Sequence, residues 1–134
     1  AVSDDLESFG KSSDRFGLTH ADFLPENLLI KDGDIRVIDF DDCGFGWYMM
    51  DIATTLFFLQ GEEVYETAYE ALIEGYRSER KLPDKHLQML PACFLARGLA
   101  YVAWVATRHE TETAKELSPV LIEGALGMAR DYLK

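Results

Sequence analysis

The sequence predicts an α+β fold, mainly helical and forming a single domain over residues 1–134, with one β-hairpin across about 27–40 followed by about four helices. Three observations predict it. Two short apolar runs, Asn27 to Lys31 and Ile35 to Phe40, are separated by Asp32-Gly33-Asp34. Asp-Gly between β-prone runs signals a hairpin, because glycine readily takes the positive φ of a tight turn. Beyond residue 47 the apolar residues recur at three- and four-residue steps, which is the helical period. A chain of 134 residues is long enough for one core and too short for two.

Taken in order, Ala1 to Phe16 is polar and weakly periodic, and reads as a short helical or loop segment leading into the first motif. The hairpin follows. Asp41 to Gly46, with Gly44 and Gly46, reads as an irregular loop. Trp47 to Gln60 is an apolar helix closed by Gly61. Val64 to Ser78 is a second helix, with Tyr65, Ala68, Tyr69, Leu72 and Tyr76 on one face, and Lys81-Leu82-Pro83 ends it. Lys85 to Glu110 reads as one long, mostly buried helix bent near Pro91. Ser118 as N-cap and Pro119 at the first helical position start the last helix, which runs to about Leu133. Trp47, Phe57, Phe58, Phe94, Tyr101 and Trp104 are expected mostly in the core. His86 and His109 lack metal-ligand spacing and are expected on the surface.

Composition narrows the classes. Apolar residues make up 48% and aromatics 12%, which argues for a packed domain over a disordered chain. The net charge of −11 disfavours nucleic acid or an anionic membrane as a partner. It suits a cationic partner but speaks first to solubility. There is no uninterrupted apolar run of the length a membrane helix needs, about 18 residues or more. The start, Ala1-Val2-Ser3-Asp4-Asp5, has neither the basic nor the apolar region of a signal peptide. Cys43 and Cys93 are too few for a disulfide framework or a zinc site, and fit reduced thiols in a cytoplasmic protein.

The chemistry concentrates in His20-x-Asp22-x-x-x-x-Asn27 and, one hairpin later, Val37-Ile38-Asp39-Phe40. This spacing delivers a carboxylate and two hard oxygen ligands to one small volume, as phosphoryl transfer from Mg²⁺-ATP requires. Asp22 is placed to orient an acceptor hydroxyl and take its proton. Asn27 and Asp39 are the candidate ligands of the metal ion. An Asp at the end of an apolar strand is costly without a partner, which favours a functional role for Asp39.

The stretch Gly17-Leu18-Thr19-His20-Ala21-Asp22-Phe23-Leu24-Pro25-Glu26-Asn27-Leu28-Leu29-Ile30, with the stretch Val37 to Ala53, strongly resembles the aminoglycoside phosphotransferase and choline kinase-like superfamily. That group has a protein-kinase-like fold, and the resemblance is to its C-terminal lobe only. It implies an ATP-dependent phosphotransferase acting on a hydroxyl of a small molecule, with Mg²⁺ and ATP as cofactors. It also implies that His20 and Asp51 support the catalytic loop, Asp51 by bonding its backbone N–H groups. Tyr101, Trp104 and Arg108 are implied as acceptor-pocket residues, as late helices are in resembling enzymes. Ala21 stands where protein kinases carry an Arg that pairs with a phosphorylated loop, and Asp39-Phe40-Asp41 ends in Asp instead of Gly. Both departures fit small-molecule kinases better than protein kinases.

The chain has no counterpart of the Gly-rich loop, strand Lys and helix Glu of the nucleotide lobe. It is therefore expected to be inactive, or nearly so, without an N-terminal lobe in the parent protein. The apolar surface facing that lobe predicts self-association, as a homodimer of the fragment. Asp41 and Asp42 read either as a solvated loop or as contacts to a second metal or a substrate ammonium. Two other readings are a non-catalytic binding module on the same lobe and a protein Ser/Thr kinase of the same superfamily.

Overall fold

The computed structural model describes residues 1–134. Its elements are α1 (Val2–Phe9), β1 (Phe16–Thr19), β2 (Leu28–Lys31), β3 (Asp34–Val37), β4 (Gly44–Trp47), α2 (Tyr48–Leu56), α3 (Tyr65–Glu79), α4 (Asp84–Leu87), α5 (Leu90–Thr107) and α6 (Glu112–Tyr132). The fold is α+β and mainly helical, with two separate two-stranded antiparallel sheets, β1–β4 and β2–β3.

The expected hairpin is β2–β3, in register Leu28↔Val37 to Lys31↔Asp34. Asp32 and Gly33 both have positive φ (52° and 86°), the backbone of a type I′ turn. The strand ends at Val37, short of the expected Phe40, because Asp39 turns into the left-handed region at φ 63°.

The β1–β4 pair corrects the sequence reading, which took 41–46 as an irregular loop and began the helix at Trp47. Gly44–Trp47 is a strand, paired Phe16↔Trp47 through Thr19↔Gly44, and the helix begins at Tyr48. Gly17 is required here: a Cβ at that position would collide with the Tyr48 hydroxyl. Glycine-rich strands carry little β-propensity, and the partner strand lies far back in the chain, so local pattern gives no sign of the pairing.

The core is built around α2 and α5. Met49, Ile52, Ala53 and Leu56 of α2 pack with Leu90, Cys93 and Phe94 of α5, and with Leu6, Phe57, Ile73 and Leu82. The expected face of α3 packs against this core through Tyr65, Ala68, Tyr69, Leu72 and Tyr76. Val105, Ala114 and Leu121 form a smaller cluster between α5 and α6. By length and composition alone, Asp84–Thr107 is apolar enough to cross a membrane. Here α5 buries seven of its residues in the protein.

Four further expectations are corrected. The long helix bent near Pro91 is two helices, the single turn α4 and then α5. Pro91 sits in the first turn of α5, where a missing N–H costs nothing. The last helix starts two turns before Pro119: Thr111 is its N-cap, accepting from the Ala114 amide at 3.2 Å, and Pro119 lies inside the helix on an exposed face. Ser118, expected as the cap, instead donates to the Ala114 carbonyl at 2.6 Å. His86 is buried rather than at the surface, 1% exposed, with the Phe9 ring edge-on at 5.1 Å. The N-terminal segment was read as a weakly structured lead-in, so its packing over His86 was not anticipated. Phe58 and Trp104, expected in the core, are exposed instead, because both line a surface cavity. His109 is at the surface as expected.

Candidate functional site

The site is a loop held from below by α2 and from the side by α5. It runs from β1 through His20, Ala21 and Asp22 to a 3-10 turn, Pro25–Asn27, that leads into the hairpin. Ala21 is left-handed at φ 67°, a conformation costing a non-glycine residue roughly 1–2 kcal/mol. Neighbours hold it there. The Asp51 carboxylate accepts the His20 amide at 2.8 Å on one oxygen and the Ala21 amide at 2.9 Å on the other. Asp51 lies in the first turn of α2, where the helix N-terminus favours negative charge.

His20 joins the two halves of the site. Its Nε2 lies 2.9 Å from the Ile38 carbonyl and its Nδ1 lies 3.3 Å from the Asp22 amide. The tautomer that satisfies both carries its proton on Nε2, donating to the carbonyl, while Nδ1 accepts. The ring is 7% exposed and packs near Phe40 and Phe23.

Asn27 donates through Nδ2 to the Asp22 carbonyl at 2.8 Å and to the Asp22 carboxylate at 3.2 Å. That commits its nitrogen and leaves its side-chain carbonyl oxygen as the donor atom for a cation. The Ile38 amide donates to the Asn27 carbonyl at 3.0 Å, which brings the next residue, Asp39, beside Asn27. Asp39 is exposed. No group of three or more His, Cys, Asp or Glu side chains gathers as a metal cluster.

Beside Asp22 opens a cavity of about 400 Å³ with Asp42, Arg97, Phe58, Tyr101 and Trp104 in its wall. The structure thus brings Tyr101, Trp104 and Asp42 to the cavity of Asp22. It leaves Asp41 on the exposed loop, and Arg108 exposed and outside the lining, with its guanidinium 4.8 Å from the centre of the Trp104 ring. Burial pushes the Tyr101 hydroxyl pKa up, with Arg97 opposing.

Arg97 was missed in the sequence. Its Nη2 donates to an Asp22 carboxylate oxygen at 2.7 Å and to the Tyr101 hydroxyl at 3.1 Å, and its Nη1 donates to the Ala21 carbonyl at 2.8 Å. One signal was available: Arg97 is the sole charged residue between Lys85 and Arg108, inside an apolar helix and four residues before Tyr101.

A model of the phosphotransferase enzyme family matches residues 1–85, and the chain belongs to that family. The amicoumacin kinase of Bacillus subtilis (strain 168) is 29% identical over 133 residues, which cover 92% of this chain and 40% of that protein. Among solved structures, a microcompartment-associated aminopropanol kinase superposes with a TM-score of 0.85 at 35% identity, covering 98% of this chain and 42% of that one. The amicoumacin kinase hAmiN, in complex with AMP-PNP, Ca²⁺ and Ami, gives 0.78 at 26% identity, covering 97% and 42%. The chain therefore spans about 40% of the length of these relatives.

Proposed function

We propose that the protein carrying this chain transfers the γ-phosphoryl group of ATP to a hydroxyl of a small molecule, and that residues 1–134 supply the acceptor side of the site. The observation that carries this reading is the bonding of Asn27 to Asp22 at the mouth of an aromatic cavity, with the chain returning to Asn27 one residue before Asp39. Asp22 orients the acceptor hydroxyl and takes its proton as the oxygen attacks. His20 and Asp51 do no chemistry in this scheme; they fix the backbone from which Asp22 projects.

The donor set suits a divalent ion. Asn27 Oδ1 and the Asp39 carboxylate are hard oxygens. Two protein donors are what an ion needs when phosphates and water complete its shell, which is the habit of Mg²⁺. Held there, Mg²⁺ would neutralise charge on the phosphates.

A cationic acceptor fits the cavity. The Asp42 carboxylate in the cavity wall suits an ammonium group. A structural relative acts on aminopropanol, an amino alcohol. The chain alone should turn over little or nothing, because positioning the nucleotide is most of the catalysis and the relatives carry more than half their length elsewhere. Two exposed cross-strand pairs, Leu18–Phe45 and Ile30–Ile35, form the apolar surface that a nucleotide lobe would cover. Without that cover the chain self-associates, and light scattering showing a monomer at high concentration would count against this. The setting is cytoplasmic, with both cysteines free.

The test is phosphoryl transfer by the intact gene product, with Mg²⁺-ATP and a panel of amino alcohols. Asp22→Asn should lower kcat by about 10²–10⁴-fold, the usual contribution of a positioned base. Asp39→Asn should abolish calorimetric binding of Mg²⁺-ATP. Transfer that is indifferent to Asp22→Asn refutes the assignment. Absence of transfer with nucleotide binding retained would favour a binding module.

A further inference from the structure

We propose that Arg97 is a positioning residue that holds the Asp22 carboxylate from the acceptor-pocket helix α5. The role of Asp22 as base rests on the kinase reading above; the contact between Arg97 and Asp22 does not.

The Asp22 carboxylate is gripped at both oxygens. Arg97 Nη2 donates to Oδ1 at 2.7 Å and Asn27 Nδ2 donates to Oδ2 at 3.2 Å. A carboxylate held this way cannot rotate about its last torsion without breaking a bond, so its remaining lone pairs keep one direction. The same guanidinium secures the residue before it. Arg97 Nη1 donates to the carbonyl of the left-handed Ala21, while Asp51 accepts the amide of that residue. Ala21 is thus clamped on both sides of its Cα, from α5 and from α2.

The cost of this arrangement argues that it is more than packing. The Arg97 side chain is 14% exposed, its Nε is buried without a partner, and it sits in a helix that otherwise reads as core. Replacing both members of a buried ion pair by apolar residues of similar volume is often neutral or stabilising, so stability alone does not account for the pair. Arg97 also stacks on Tyr101, with its guanidinium 4.4 Å from the ring centre, and donates to the hydroxyl of that ring. The cavity wall and the carboxylate therefore share one rigid connector. A lysine cannot replace it, since a point charge does not fork to a carboxylate, a carbonyl and a hydroxyl together.

The experiment compares Arg97→Met and Arg97→Lys with the wild type in the intact gene product. Arg97→Met should lower kcat by roughly 10²-fold, the effect of a small misplacement of a reacting group, while KM for ATP stays put. Its thermal midpoint should fall, because Asp22 loses its charge partner, yet the protein should stay folded at the assay temperature, which separates positioning from support of the fold. Arg97→Lys should recover only part of kcat. An Arg97→Met protein with unchanged kcat, or with a loss matched by loss of folded protein, overturns the proposal. Nitrogen-15 NMR of labelled arginine gives a readout that does not need turnover. The Arg97 Nη2 line should be resolved from Nη1 and should move in Asp22→Ala. A wild type silent toward every acceptor, with that response intact, removes the kinase reading and supports the grip on Asp22. A single averaged Nη line overturns the grip whether or not the protein turns over.

Discussion

Replacing Asp51 tests the architecture of the site most directly, because one side chain carries two backbone amides of the Asp22 loop. In the wild type its two carboxylate oxygens accept from His20 at 2.8 Å and Ala21 at 2.9 Å. Hydrogen bonds to a charged group contribute roughly 1.5–3 kcal/mol each, and effects within one network do not simply add. Asp51→Ala removes both bonds, leaves two amides to find water, and frees a left-handed Ala21 whose strain is about 1–2 kcal/mol. A loss of about 3 kcal/mol is a fair central expectation, one bond's full worth with partial relaxation of the other. Urea slopes for small proteins are about 1–3 kcal/mol per molar, so the midpoint should fall by roughly 1–3 M. Asp51→Asn should do less harm, since its one oxygen still accepts one amide while its nitrogen faces the other donor. Amide exchange supplies the local reading: His20 and Ala21 should lose protection in both variants, beyond the global change. If the Asp51→Ala midpoint stays within error of the wild type, or if those two amides exchange no faster than their neighbours, the loop is not held by α2 and the reasoning fails.

His86 should make stability pH-dependent. Burial is the largest cause pushing its pKa below the ordinary histidine value, with Arg15 and Lys85 adding to the shift and Asp14, whose carboxylate lies 3.6 Å away, opposing it. The native state then binds the proton less readily than the unfolded chain, so stability is full above about pH 6.5 and is lost as pH falls toward the lowered native value. One proton gives a slope of at most about 1.4 kcal/mol per pH unit. Denaturant titrations at several pH values should show that slope in the wild type and a flatter one in His86→Gln; equal slopes would remove His86 from the account. Gly17→Ala should cost about 1–3 kcal/mol through overpacking, because its Cβ meets the Tyr48 hydroxyl and the Arg80 guanidinium stacks 4.0 Å from the centre of the Tyr48 ring, limiting its retreat. Tyr48→Ala in the same chain should recover most of that cost in a double-mutant cycle, and simple additivity of the two changes would refute the clash.

What was legible in the sequence was local. Asp32-Gly33 announces its own turn, and the spacing of Tyr65, Ala68, Tyr69, Leu72 and Tyr76 announces a helix face, because each signal lies within one or two turns of chain. The order His20, Asp22, Asn27, Asp39 was legible for the same reason: a single hairpin carries the chain from Asn27 back to Asp39. Pairings between distant segments were not. β4 has glycine at two of its four positions, too weak a local pattern to mark a strand, and exists because β1 lies beside it. The start of α6 was misplaced because Ser118-Pro119 is a good cap sequence in isolation, whereas Thr111 two turns earlier caps the helix. His86 looked like a surface residue until α1 and the following loop were folded over it.

Arg97 shows why the candidate site was less legible than the fold. Nothing adjacent to it in sequence marks it as anything but an arginine in a helix; its partners, Ala21 and Asp22, lie about 75 residues earlier. The same holds for Asp51, whose oxygens meet amides some 30 residues back. Both are charged groups on helices of the core, and both end on the short left-handed segment before Asp22. A loop of ordinary flexibility would let that carboxylate wander. Here its backbone is fixed at the amide by α2 and at the carbonyl by α5, and helices hold geometry better than loops do. The position of Asp22 is therefore fixed by the core helices of this chain. On the proposed function, the acceptor side of the site should be formed before nucleotide arrives, so exchange protection at His20 and Ala21 should be the same with and without Mg²⁺-ATP. Protection that appears only with nucleotide would place the ordering elsewhere and demote both helices to packing.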